Sequence, residues 1–154
     1  MSKMVVAGQP FIGLPLLVIV QAAQSLISSN ASVHAKDNSE QTPVHVAAIF
    51  GSNTVLKLLL DNNASSSFNS VSAVDKYNNT PLHLACAEGG DLETVTILLQ
   101  KAEDIKNLVS AVNENQQTPI HLAAKKGKNN VLNRLLENSS SIYDSVSAVD
   151  HHKL

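Results

Sequence analysis

The chain is 154 residues long, with 44% hydrophobic and 16% charged residues and a formal net charge of −2. This supports a packed core for one domain or one short repeat array, and it excludes the clustered Lys and Arg of a nucleic-acid binder. A single cysteine, Cys86, excludes an intrachain disulfide and fits a reducing compartment, while 3% aromatic residues and no tryptophan predict a core of small aliphatic side chains.

Phe11 to Val20 is the first apolar stretch, and at ten residues it is half the about 20 that a membrane-spanning helix needs. Lys3 before it and Val20-Gln21-Ala22 after it suit a signal peptide with its cleavage site. The competing reading is a divergent first repeat capping a stack, with a helix starting near Leu16, after Pro15.

Three copies of one motif follow: Thr42-Pro43-Val44-His45-Val46-Ala47-Ala48, Thr80-Pro81-Leu82-His83-Leu84-Ala85-Cys86, and Thr118-Pro119-Ile120-His121-Leu122-Ala123-Ala124. Their threonines are spaced by 38 residues each time, and a fixed period decides the whole fold. Threonine caps a helix through its hydroxyl, and proline fits the first helical position because its missing N–H is not needed there. Gly51, Gly89 and Gly127 each lie nine residues after the threonine, where a left-handed helix cap is expected. A second apolar helix follows each glycine, over Val55–Leu60, Leu92–Leu99 and Val131–Leu136.

The motif resembles the ankyrin repeat, whose signature is Thr-Pro-Leu-His-x-Ala in a unit of roughly 33 residues. Asn30-Ala31-Ser32-Val33-His34-Ala35-Lys36-Asp37 is similar to the family's Gly-Ala-Asp-Val-Asn-Ala-x-Asp, which favours the cap over the signal peptide. The resemblance implies an all-α repeat solenoid: one array over 1–154, with a degenerate cap at 1–37, repeats at 38–75, 76–113 and 114–150, and the start of a further repeat at 151–154. It also implies hairpin fingers at Asp37–Gln41, Asp75–Asn79 and Asn113–Gln117. The family's turn glycine is replaced by Glu40, Asn78 and Gln116. Asn tolerates positive φ, so distortion is expected at the outer two fingers. Leu60 to Asp75 spans 15 residues, and Leu99 to Asn113 and Leu136 to Asp150 span 14 each, against the ten from Ile27 to Asp37. Each second helix is therefore followed by an insertion, and the i,i+4 pairs Ile105/Val109 and Ile142/Val146 predict an extra helical turn under the finger.

The three motif histidines would form a row in a stack, which invites a metal or catalytic role. The resemblance implies instead hydrogen bonds to the capping threonine and nearby backbone. His151 and His152 are adjacent, but no motif places a third ligand. Cys86 stands at an alanine position on the packed side of its helix and reads as a small buried hydrophobe. Gly89-Gly90 is a turn with one inserted residue, without the Gly-Lys-Ser of a phosphate loop. No cofactor, metal or membrane is called for.

What remains is surface. The resemblance implies a concave face of finger tips and first-helix ends: Lys36, Asn38, Ser39 and Glu40; Lys76, Tyr77 and Asn78; Glu114, Asn115 and Gln116; Ile49 and Phe50, Ala87 and Glu88, Lys125 and Lys126. Phe50 and Tyr77 suit an aromatic anchor, or alternatively pack on each other for stability. The expected function is non-catalytic binding of a protein partner in the cytoplasm. The alternatives are the targeting module of a larger secreted effector enzyme or an exported periplasmic protein. Because the next Thr-Pro would begin one residue past Leu154, the polypeptide is expected to continue, or to dock something at that end.

Overall fold

A computed structural model of the chain describes Ser25 and residues 34–62 and 69–138. The chain divides into two units, Met1–Ser32 and Val33–Leu154, and everything below concerns the second. The N-terminal cap and its signal-peptide alternative, the third insertion, His151, His152 and the start of a further repeat lie outside the described residues.

Seven helices run through the described residues: α1 Pro43–Phe50, α2 Asn53–Asn62, α3 Pro81–Ala87, α4 Leu92–Lys101, α5 Ile105–Ser110, α6 Pro119–Lys125 and α7 Asn129–Asn138. None of the described helices is long and apolar enough to cross a membrane. Each first helix starts where the sequence places it: Thr42, Thr80 and Thr118 are extended N-caps, and a proline opens the helix behind each. In α4 the same role falls to Asp91, whose carboxylate accepts from the Thr94 amide at 2.9 Å. These backbone bonds hold the Asp91 carboxyl below its usual range.

The helices form two rows. First helices α1, α3 and α6 pack in sequence, and second helices α2, α4 and α7 pack in sequence behind them. The core between the rows is aliphatic, as composition predicts: Leu56, Leu82, Val95, Leu98 and Leu135 are fully buried. Among the described residues the architecture is an all-α repeat solenoid. The second helices are also tied across repeats at the surface, Lys57 to Glu93 at 3.1 Å and Lys101 to Asp61 at 2.7 Å.

The extra helix appears where the apolar spacing places it. Asp104 caps α5 by accepting from the Asn107 amide at 3.0 Å. Leu108 and Val109 are buried, and α5 packs on α6 and α7. In the described part of the first insertion, Asn69 folds its carboxamide over the Val71 and Ser72 amides in a turn.

One expected cap is corrected. Gly51 and Gly127 are left-handed, at φ 65° and 69°, but Gly89 is not. Closing α1, Gly51 N–H donates to Ala48 O and Ser52 N–H to Ala47 O, and the same pair of bonds recurs after α6. After α3, the inserted Gly90 turns the chain differently. Gly89 N–H leaves its own helix and donates to Ile49 O of the preceding repeat at 2.9 Å.

Candidate functional site

The Thr-Pro-x-His motif forms a capping box in which histidine takes the place of the usual Glu or Gln. Thr42 Oγ1 accepts from His45 N–H at 3.4 Å, and His45 Nδ1 accepts from Thr42 N–H at 3.1 Å. The second and third copies repeat this at Thr80/His83 and Thr118/His121. Because Nδ1 accepts a backbone amide, the ring proton sits on Nε2. That proton is donated to the next repeat: His45 to Asn79 O at 3.0 Å and His83 to Gln117 O at 2.9 Å. Both rings are fully buried, and burial lowers their pKa below the ordinary 6.5. His121 is exposed, and among the described residues no carbonyl stands against its Nε2. The geometry of the three histidines is therefore that of struts, each bound to its own cap and two of them to the next repeat. Among the described residues no group of His, Cys, Asp and Glu is placed to hold a metal ion.

Cys86 is completely buried, and burial pushes its thiol pKa up to about 12. A thiol in that state is not a nucleophile.

The three fingers share one geometry, and this corrects the expected distortion at the outer two. Glu40, Asn78 and Gln116 all adopt φ near +60°, at 60°, 62° and 61°. The reason is local bonding. Asp37 Oδ1 accepts from Ser39 and Gln41 amides, Asp75 Oδ1 from Tyr77 and Asn79, and Asn113 Oδ1 from Asn115 and Gln117, all at 2.8–3.0 Å. A backbone bond from Glu40 N–H to Asp37 O, at 2.9 Å, closes the turn, and its counterparts close the other two. No strand forms in the fingers among the described residues. Neighbouring fingers are joined by one backbone bond each, Lys76 N–H to Ser39 O at 3.0 Å and Glu114 N–H to Tyr77 O at 2.9 Å, and the second pair also by Asn113 Nδ2–H to Asn79 Oδ1 at 3.0 Å.

On the expected interaction face, Lys36, Asn38, Glu40, Lys76, Tyr77, Asn78, Glu114, Asn115 and Gln116 are exposed at the finger tips, and Ser39 is half-buried. At the helix ends Phe50, Glu88, Lys125 and Lys126 are exposed, with Ile49 and Ala87 half-buried. Phe50 is 73% exposed and Tyr77 48%. The Lys76 ammonium sits 5.1 Å from the Tyr77 ring centre, and no ring contact joins Tyr77 to Phe50 among the described residues.

One residue was invisible to the sequence argument. Lys128 Nζ donates to Ala85 O at 2.9 Å, Gly90 O at 2.8 Å and Glu88 O, so its three donors meet three carbonyls. These carbonyls lie at the end of α3 and the turn beyond, the helix whose closing amide went to Ile49. The lysine of the third repeat thus closes the first helix of the second. Burial lowers the Lys128 pKa. Lys128 and Asp91 also line a depression between the starts of α4 and α7, but both are occupied in capping.

Comparison with known families agrees with this geometry. Models described as ankyrin repeats (3 copies) and ankyrin repeats (many copies) match residues 19–109 and 85–136. The search of curated proteins gave no match. With the two-row helix stack, the Thr-Pro-x-His capping boxes and a family match over more than half of its length, the chain belongs to the ankyrin-repeat family.

Proposed function

We propose that the chain is a non-catalytic module that binds a protein partner along the finger tips and the exposed ends of α1, α3 and α6. Ankyrin repeats are generally protein–protein interaction modules. The observation that carries the proposal to this face is Phe50, a large apolar ring 73% exposed, with Tyr77 exposed on the adjacent finger. Aromatic side chains set within an otherwise polar face, with polar residues around them, are the usual anchors of an interface. The backbone around them is held by the finger bonds and inter-repeat struts, so such a face is preorganised and loses little entropy on binding. The proposal includes a reducing, cytoplasmic setting, in which the buried thiol of Cys86 needs no partner.

The test is a Phe50→Ser/Tyr77→Ser double variant. It is expected to weaken partner binding at least about tenfold, the scale of a lost hot spot, while its circular dichroism stays native. An unfolded double variant would place the two rings in the core instead.

A further inference from the structure

The pair of residues ending each first helix changes character along the stack. It is Ile49-Phe50 on α1, Ala87-Glu88 on α3 and Lys125-Lys126 on α6. Phe50 and both lysines are exposed. Among the described residues, neither Lys125 nor Lys126 has an ion-pair partner. That contrasts with Lys57 and Lys101 on the second helices, which are bound to Glu93 and Asp61.

Neither nearby acid forms an ion pair with the two lysines among the described residues. Glu88 and Asp91 lie close enough to Lys128 to favour its charged form, and Asp91 is bound to Thr94 as a cap. Glu114 is at a finger tip, at the other end of α6 from the two lysines. Seven residues of helix separate them by about 10 Å, roughly one Debye length at physiological salt. Among the described residues, the α6 end of the face therefore presents two positive charges without an ion-pair partner, while the α1 end presents an apolar ring.

We propose that the partner segment is extended and carries one large apolar side chain for the Phe50 end and a pair of carboxylates for the Lys125-Lys126 end. The spacing follows from the stack. Packed helices lie 8–10 Å apart, so α1 and α6, separated by α3, are about 16–20 Å apart. An extended chain rises about 3.3 Å per residue, so the apolar and acidic groups are five or six residues apart. The inference rests on the interaction face proposed above, and it adds the chemistry and spacing of what binds there.

The experiment has two arms. A random peptide library is selected on the wild-type chain, on Phe50→Ser and on Lys125→Glu/Lys126→Glu. In parallel, fluorescein-labelled peptides with a Phe and an Asp-Asp pair, joined by Gly-Ser spacers of varied length in either order, are titrated by fluorescence anisotropy. The expected result is tightest binding when the Phe and the Asp pair are five or six residues apart, with a loss of about tenfold for each variant. A Lys-Lys version of the best peptide should prefer the charge-reversed protein. Acidic peptides that bind equally well without the Phe, or a best spacing far from this range, would overturn the inference. Library peptides that need Phe50 but carry no acidic pair would overturn it while leaving the interaction face intact. Library peptides indifferent to both variants would remove the face itself. Self-association of the chain that Phe50→Ser abolishes would assign this end to a second copy and also overturn the inference.

Discussion

His83 is bound at both ring nitrogens, to Thr80 in its own cap and to the Gln117 carbonyl in the next repeat. Removing the ring leaves the buried Thr80 amide without a partner and takes from the Gln117 carbonyl one of its two bonds, the other coming from Asn113 N–H, so His83→Ala is expected to cost about 1–3 kcal/mol in thermal or denaturant unfolding. His121→Ala should cost less, because that ring is exposed and reaches no described carbonyl. The same geometry makes stability depend on pH. In the unfolded chain His45 and His83 take up a proton near pH 6.5, but burial delays this in the fold to lower pH. Their contribution is complete above pH 6.5 and is lost as pH falls from there through the folded pKa. The loss is up to about 1.4 kcal/mol per pH unit for each ring while only the unfolded chain is protonated. The gap between wild type and His83→Ala should therefore narrow between pH 7.5 and 5.5. A constant gap would mean that Nδ1 is not the buried acceptor described. Lys128→Met tests the other strut. It keeps the apolar stem but strands three carbonyls, and an unfolding loss of about 1–3 kcal/mol is expected, since bonds to a charged donor are the stronger kind. The two struts differ in how visible they were. The histidine caps lie within three residues of their threonines, so spacing alone shows them. Lys128 reaches a carbonyl 43 residues away, and neither periodicity nor propensity carries a signal for such a contact.

At the scale of elements, local chemistry was legible at the starts of the first helices and in α5, though not in the cap at Gly89. Proline after a capping threonine, and apolar residues four apart at Ile105 and Val109, placed helix starts and α5. The fingers were misjudged because backbone propensity was weighed without the side chain that overrides it. Glu and Gln resist positive φ, but Asp37 and Asn113 each bind two amides of the turn and hold it closed. The strain is still present. A left-handed non-glycine residue costs about 1–2 kcal/mol, and glycine returns about 0.5–1 kcal/mol of that as chain entropy. Glu40→Gly and Gln116→Gly should each raise stability, by up to about 1 kcal/mol, and Asn78→Gly by less, because Asn tolerates the conformation. Melting temperatures of the three single variants decide this. A fall at Glu40 or Gln116 would mean that the side chain itself makes contacts that outweigh the strain.

For the whole molecule, a stack holds together only as well as its junctions, since each repeat touches its neighbours alone. The junction between the first two described repeats includes a backbone contact that admits no side chain. A Cβ on Gly89 would stand 2.8 Å from Ile49 O, and one on Gly51 would stand 2.8 Å from Gly89 O. Neither obstacle can rotate away, because both are main-chain atoms. Gly127 is the natural control: it has the same left-handed φ as Gly51, but a Cβ there meets nothing within 4 Å. Gly127→Ala thus reports the conformational cost alone, about 1–2 kcal/mol. Gly89→Ala, at a residue that is not left-handed, reports the steric cost alone, with overpacking typically costing 1–3 kcal/mol. The two penalties can be similar in size and still differ in where they act. Gly89→Ala pushes α3 away from α1 and breaks the Gly89 N–H bond to Ile49. Hydrogen exchange in that variant should therefore lose protection in α1 and α2 first, while α6 and α7 stay protected. Uniform loss of protection along the stack would show that the repeats unfold as one unit, and that the Gly51–Gly89 contact is not a separable junction.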